Sequence, residues 1–331
     1  MSAYEATADF TEIHYRHLLR KALDSYTFIS FTDIYRKGRI CLWRHDVDFS
    51  VHRAHALARI EAECGAFSTY FIMLHSEFYS VLERGILNRL RDIAAMGHAI
   101  GLHFDPTFYG QEIDSRADLE RFISEERALL ERLLHVRVET LSFHMPDTGR
   151  WQASDDDEVA GLINAFGRGV RDRFAYCSDS NGYWRFQRLA DVLEAVADER
   201  LHVLTHPCWW TPEPMAPRQR MARVIGGRAD WLDRHYDSLI ADSGRVNLRH
   251  ADQEAFTWLL SWDEALGYLV EELIRRRVPH LAEVELRRRL ADLGIGDESR
   301  LEEDRNDHQS NATIVALIGR LRGAVTGAAP P

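Results

Sequence analysis

Along residues 40–205, short apolar runs alternate with longer segments whose apolar residues recur at helical spacing. The runs at 40–43, 68–74, 97–103, 139–143, 174–178 and 201–205 predict strands, and the segments 51–63, 83–96, 117–134, 155–166 and 189–197 predict helices. Gly65 and Gly97 each follow one of those helices, where a left-handed C-cap favours glycine. Strand and helix in alternation imply a parallel sheet with crossover helices. Closed into a β/α barrel, such a sheet gathers the C-terminal ends of its strands on one face, where the active site of a barrel enzyme lies.

Outside this alternation, residues 9–24 read as a helix, with Phe28, Phe31 and Ile34 packing it against the N-terminal end of the barrel. Pro207, Pro212, Pro214 and Pro217 mark a rigid loop that ends the alternation. Beyond it, residues 218–241, 253–277 and 281–293 predict helices. Their apolar stripe, for example Phe256, Leu259, Leu260, Ala265 and Leu266, suits docking on the barrel or on another subunit, as in a homo-oligomer. The expected organisation is an N-terminal helical segment at 1–36, a barrel at 37–212 and a helical extension at 213–331, ending in a frayed tail.

Polar residues recur where the apolar runs stop. After Ile40-Cys41-Leu42-Trp43 comes Arg44-His45-Asp46-Val47-Asp48, and side-chain alternation puts Asp46 and Asp48 on one side of one strand. Two buried acids so close are costly without a cation or a shared proton. Capping of the helix that begins near Ser50 is the plainer reading of the pair. The same design returns at His103 and Asp105, at His144, at Asp179 and at His206, each at the end of a predicted strand. Other polar residues read as structural. His98 begins its strand, His202 lies inside an apolar one, and His52, His55, His235 and His250 read as exposed. Asp155-Asp156-Asp157-Glu158 after Ser154 reads as the acidic first turn of a capped helix. Trp209 and Trp210 serve either as a sugar-stacking wall or as a loop anchor.

Asp46 and Asp48 after the first strand, His103 at the end of the 97–103 stretch, Pro146 in the next motif and Leu204-Thr205-His206 near the end together resemble the polysaccharide deacetylase family. This family is also called the NodB-homology fold or carbohydrate esterase family 4 (CE4), and the resemblance covers about residues 40–210. It implies a distorted β/α barrel, one divalent metal, and removal of acetyl groups from amino sugars. By position, the resemblance makes Asp46 the catalytic base, Asp48 and His103 metal ligands, and His206 the catalytic acid. Two departures stand out. Val47 separates two acids that are commonly adjacent, and Thr107 occupies the place, four residues after His103, of the second metal histidine.

A catalytic metal site needs a third protein ligand. His144 is the first candidate, since it ends the next strand, and Asp105 competes with it; a buried hydrogen-bonding role for His144 is the alternative. One carboxylate and two imidazoles with open positions suit Zn²⁺, and also Fe²⁺, Co²⁺ or Ni²⁺. Such an ion lowers the pKa of a water from about 15.7 to about 7 and polarises an amide carbonyl. Asp46 could then take the water's proton and His206 protonate the departing amine. Asp179 could orient His206 or contact substrate hydroxyls, and Arg44 could hold the charge of Asp46 or stabilise an oxyanion.

Composition narrows the setting. A formal net charge of -11 with no basic stripe argues against nucleic acid and anionic membrane surfaces as general partners. Cys41, Cys64, Cys177 and Cys208 lack Cys-x-x-Cys spacing and read as reduced thiols. No apolar run of about 18 residues and no basic-then-apolar leader occurs, so the expected setting is the cytoplasm and the expected substrate a small or sugar-like molecule. A soluble amino sugar, a sugar nucleotide, a lipid-linked precursor or another small N-acylated metabolite fits. A deaminase or cyclic-amide hydrolase on a similar barrel, and an inactive ligand-binding relative, are the competing classes.

Overall fold

The computed structural model describes residues 7–144, 156–184 and 186–244. The chain divides into two units, Met1–Tyr236 and Asp237–Pro331. In the second unit the described residues are 237–244, the end of a helix and the turn after it. The helices expected at 253–277 and 281–293, and Pro146 of the third motif, lie outside the described residues.

In the first unit, strands β1 (Thr27–Phe28), β2 (Ile40–Val47), β3 (Thr69–Ile72), β4 (Ala99–Phe104), β5 (Thr140–Phe143), β6 (Glu158–Val159), β7 (Leu162–Asn164), β8 (Ala175–Ser178) and β9 (Arg200–Thr205) form one sheet. Its order is β6-β7-β5-β4-β3-β2-β9-β8, with β1 paired to β2, and every pairing is parallel except β6 with β7. The helices are α1 (Glu12–Ser25), α2 (Val51–Cys64), α3 (Arg84–Ala95), α4 (Pro106–Tyr109), α5 (Arg116–Leu134), α6 (Arg168–Arg171), α7 (Leu189–Ala195) and α8 (Pro217–Asp242). Crossovers through α2, α3 and α5 make the parallel pairs possible, as the alternation predicts. Gly65 and Gly97 adopt φ of 75° and 95° in the C-terminal turns where glycine was expected.

Among the described residues the two ends of the sheet are not paired to each other, yet they meet. Tyr176 on β8 and Phe166, two residues beyond β7, have ring centroids 5.9 Å apart, and both pack beside the His202 ring. The sheet is therefore a curled, open and distorted β/α barrel whose gap is closed by side chains.

Strand β2 runs through its middle, buried on both faces along its whole length. Ile40 and Leu42 face inward, in a cluster with Phe31, Ile34, Phe71 and Ala165. Cys41 and Trp43 face outward, in a second cluster with Tyr15, Leu18 and Leu19 of α1. Phe31 and Ile34 thus close the N-terminal end of the interior, whereas Phe28 stacks on Trp43 outside it. The same parity continues upward. Arg44 and Asp46 point inward and His45 outward, where His45 Nε2 lies 2.6 Å from Glu61 Oε1 of α2 and Nδ1 lies 2.7 Å from Thr205 Oγ1 of β9. Glu61 also accepts from the hydroxyls of Tyr70, at 2.6 Å, and Tyr15.

One expected helix is absent. Residues 158–164 of the segment assigned to a helix at 155–166 form a two-residue hairpin, with Glu158 opposite Ile163 and Val159 opposite Leu162. Ala160 and Gly161 both have positive φ, 53° and 71°, as a tight turn matching the strand twist demands. Asp157 is consequently not in a helical first turn: its Oδ1 accepts from the Gly169 backbone N–H at 2.5 Å. By contrast, α8 at Pro217–Asp242 agrees with the helix expected at 218–241.

Candidate functional site

The C-terminal ends of β2, β4, β5 and β9 bring the predicted residues to one mouth. Gly101 on β4 makes room for this, because a Cβ there would lie 2.6 Å from the Phe71 ring atoms. Phe71 in turn lies under the Arg44 guanidinium, 4.9 Å from its ring centre, while Phe166 lies 4.4 Å away. Two positions beyond Gly101 on the same face stands His103.

His103 Nδ1 lies 3.0 Å from the carbonyl oxygen of Ser142 on β5, an acceptor. The N–H must therefore sit on Nδ1, which leaves the Nε2 lone pair facing the mouth in the neutral ring. That lone pair lies 3.1 Å from Asp48 Oδ1 and 3.3 Å from His144 Nδ1, and His144 Nδ1 lies 4.0 Å from Asp48 Oδ1. Three lone-pair atoms so close repel unless a proton or a cation lies among them. Burial works against the charge of Asp48, but His103, His206 and His144 outweigh it and hold the carboxyl well below the usual range. Burial likewise lowers His103, and Asp46 and Asp48 more than reverse it, so its pKa is raised. His144, with burial and His103 both lowering it, goes down. The two imidazoles are thus shifted in opposite directions.

Asp46 is almost fully buried. Its Oδ2 accepts from Arg44 Nη2 at 2.8 Å and lies 3.9 Å from His103 Nε2, whereas its buried Oδ1 has no hydrogen-bond partner among the described residues. Arg44 Nη2 also donates to Ser142 Oγ at 2.9 Å. Asp179, wholly buried, accepts from the His206 backbone N–H, from Trp210 Nε1 at 3.0 Å and from His206 Nδ1 at 2.7 Å. His206 Nε2 is thereby turned to the mouth, 3.9 Å from Asp48 Oδ2. Burial lowers the His206 pKa, but Asp179, Asp48 and Asp46 raise it to about 9.

Other candidates are placed elsewhere. Asp105 caps α4, accepting from the backbone and hydroxyl of Thr107 at 2.9 and 2.6 Å. His98 Nε2 lies 3.0 Å from the Ala58 carbonyl, in keeping with a structural role. His202 is buried, but its Nε2 has no hydrogen-bond partner among the described residues, and burial with Arg44 nearby pushes its pKa well down. Trp210 is fully buried and anchors the loop after β9, so the wall reading fails for it. Three of the four cysteines are buried, and all four are unbridged thiols. Ser142 was not anticipated, although it lies two positions before His144 and so on the same face of the same strand. Its hydroxyl holds Arg44 and its carbonyl holds His103.

The donor set suits a divalent cation. Nitrogens 3.3 Å apart match the roughly 3.3 Å edge of a tetrahedron with metal–nitrogen bonds of about 2.0 Å. Asp48, His103 and His144 also form a group able to hold a metal, all ligand atoms lying within 4.8 Å of one another. No family model matches the sequence, and no curated protein matches it. Solved structures do. The Xyl-CE4 domain of a multidomain xylanase from the hindgut metagenome of Trinervitermes trinervoides is 12% identical, with 64% of this chain and 93% of that chain covered and a TM-score of 0.36. A family 4 acetyl xylan esterase from Clostridium thermocellum, in complex with a cobalt ion, is 12% identical over 62% of this chain and 92% of that chain, with a TM-score of 0.33. A wild-type CE4 family pseudoenzyme from Bacillus anthracis is 11% identical over 58% of this chain and 62% of that chain, with a TM-score of 0.34.

Proposed function

We propose that this chain is a metal-dependent deacetylase-type hydrolase that removes an N-acetyl or related acyl group from an amino sugar, a sugar nucleotide or a small amide. The observation that carries this reading is the convergence of Asp48, His103 and His144, flanked by Asp46, whose Oδ1 has no hydrogen-bond partner among the described residues, and by His206 with its Nε2 turned inward.

Asp48, His103 and His144 would hold the metal. A divalent ion there would supply a water of lowered pKa and polarise the acyl carbonyl. Asp46, held by Arg44 and 3.9 Å from His103 Nε2, is the carboxylate beside those ligands that would take up a proton as general base. Arg44 holds both Asp46 and Ser142 through Nη2 and so acts as a positioning residue for the base. His206, with a raised pKa, carries a proton at neutral pH and delivers it from Nε2 to the leaving nitrogen. Asp179, fully satisfied within the protein, orients His206 rather than touching a substrate hydroxyl. Incubation with acetamido sugars, followed by mass spectrometry, should show loss of one acetyl group and release of acetate. Ammonia release without acetate assigns the site to a deaminase instead.

A further inference from the structure

A cavity of about 330 Å³ lies between the N-terminal turn of α2 and the first half of α8. Its lining includes Arg53, Arg220, Arg223, Arg228 and Arg234, and no aspartate or glutamate, in a chain whose net charge is -11. Arg53 is matched from outside the lining by Glu12 at 2.5 Å, and Arg228 by Glu83 at 2.7 Å. Among the described residues Arg220 makes no ion pair, although Asp179 acts on it from farther off. It is 1% exposed, donates to the carbonyl oxygens of Gly182 and Thr7, and leaves its Nε without a hydrogen-bond partner among the described residues. A buried guanidinium with a spare N–H and no carboxylate in contact is costly until an anion joins it. Burial already pulls its pKa down to about 10.

The α2 end of the cavity adds to this. Ser50 caps the helix through the Arg53 backbone N–H, and the first turn holds no acidic residue, so the positive end of the helix is uncompensated there. Trp231 also lines the cavity, 4.9 Å in ring centre from His235, with the Arg228 guanidinium 5.0 Å from its own ring. Bidentate arginines and a helix N-terminus are the ordinary means of holding a phosphoryl group, and an aromatic face beside them suits an attached ring.

The cavity lining includes residues next in sequence to the catalytic strand ends. Phe49 and Ser50 directly follow Asp48, and Cys208 comes two residues after His206. We infer that this cavity holds the phosphoryl group of the substrate, so that the molecule deacylated is a phosphorylated amino sugar or a sugar nucleotide rather than a neutral sugar. The inference rests on the hydrolase reading above.

Calorimetric titration of the metal-loaded full chain with inorganic phosphate tests the cavity without any turnover. One site is expected, weakened at least about tenfold by Arg223→Glu and by Arg220→Gln. Arg223 is exposed, so its replacement leaves the fold intact even if the buried change at Arg220 does not. Phosphate bound equally by wild type and Arg223→Glu overturns the site. For the substrate, the ratio of kcat/KM for N-acetylglucosamine 1-phosphate to that for N-acetylglucosamine should exceed one and fall about tenfold in Arg223→Glu. Phosphate binding that is lost in the variant while this ratio stays constant marks a site for a free anion and overturns the substrate assignment. Phosphate binding with no acetate released from either sugar removes the hydrolase reading, and with it the substrate assignment, while leaving the anion site in place.

Discussion

Asp179 Oδ1 lies 2.7 Å from His206 Nδ1 and also accepts the backbone N–H of the same residue at 3.0 Å. One buried carboxylate therefore fixes both the ring and the strand end that carries it. The consequence is a histidine whose Nε2 can face only the mouth and whose pKa sits near about 9.

The first prediction concerns pH. An acid with a pKa of about 9 is protonated throughout the neutral range and is lost as the pH rises through that value. The profile of kcat/KM should fall on its alkaline side near pH 9. In Asp179→Asn the largest raising influence is gone, so the fall should move down toward the ordinary histidine value of about 6.5, with the rate at pH 8 lower by up to about 30-fold. An alkaline limb that stays in place in this variant assigns it to another group.

The second prediction separates base from ligand. Asp46 is engaged by Arg44 through Oδ2, whereas Asp48 Oδ1 faces the two imidazole lone pairs. Asp46→Asn should keep its metal and lose about 10²–10⁴ in turnover. Asp48→Asn should lose metal and activity together, as read by elemental analysis. Equal metal loss in both variants makes both acids ligands, and the proton acceptor must then be sought elsewhere, with Asp179 next.

Much of this arrangement was legible because strand parity is rigid. Ile40, Leu42, Arg44 and Asp46 share a face through the period of two alone, and the apolar-then-polar break at Trp43 marks where the mouth begins. The hairpin at 158–164 was not legible, because Val159, Leu162 and Ile163 also fit helical spacing in so short a window and only Gly161 hinted at a turn. The choice between Asp105 and His144 was equally hidden. Asp105 is drawn to the N-cap of α4 by Thr107, a local competition that spacing does not express. The basic cavity joins residues 50 and 223 across the fold, and no local pattern links them.

The third prediction is about stability. Burial would raise the pKa of Glu61, but His45, His98 and Tyr15 hold it below the usual carboxyl value. A depressed folded-state pKa stabilises the protein above the unfolded value of about 4.3, and that stabilisation is lost as the pH falls through the folded-state pKa. Glu61→Gln leaves His45 and the two tyrosines without their charged partner and should cost about 3–5 kcal/mol at pH 7. Urea midpoints of wild type and variant should converge as the pH falls through the depressed folded-state pKa. A gap that persists unchanged below it would assign the loss to packing instead of charge.

The fourth prediction follows from the proton that the metal must displace. Without a cation, Asp46 and Asp48 raise the His103 pKa despite its burial, while burial and His103 lower that of His144. A metal ligand must present a lone pair, so loading the site has to expel whatever proton His103 Nε2 carries. Titrating Zn²⁺ into metal-free protein near pH 7 in two buffers of different ionisation enthalpy should show proton release on binding. The apparent affinity should fall as the pH is lowered, by up to tenfold per pH unit, because protons and metal compete for one atom. His103→Ala and His144→Ala should both lose tight binding, and Asp105→Ala should retain it, since Asp105 is committed to Thr107. Binding that persists in His144→Ala but vanishes in Asp105→Ala would reverse the choice of third ligand, and the 3.3 Å approach of the two imidazoles would then need another explanation.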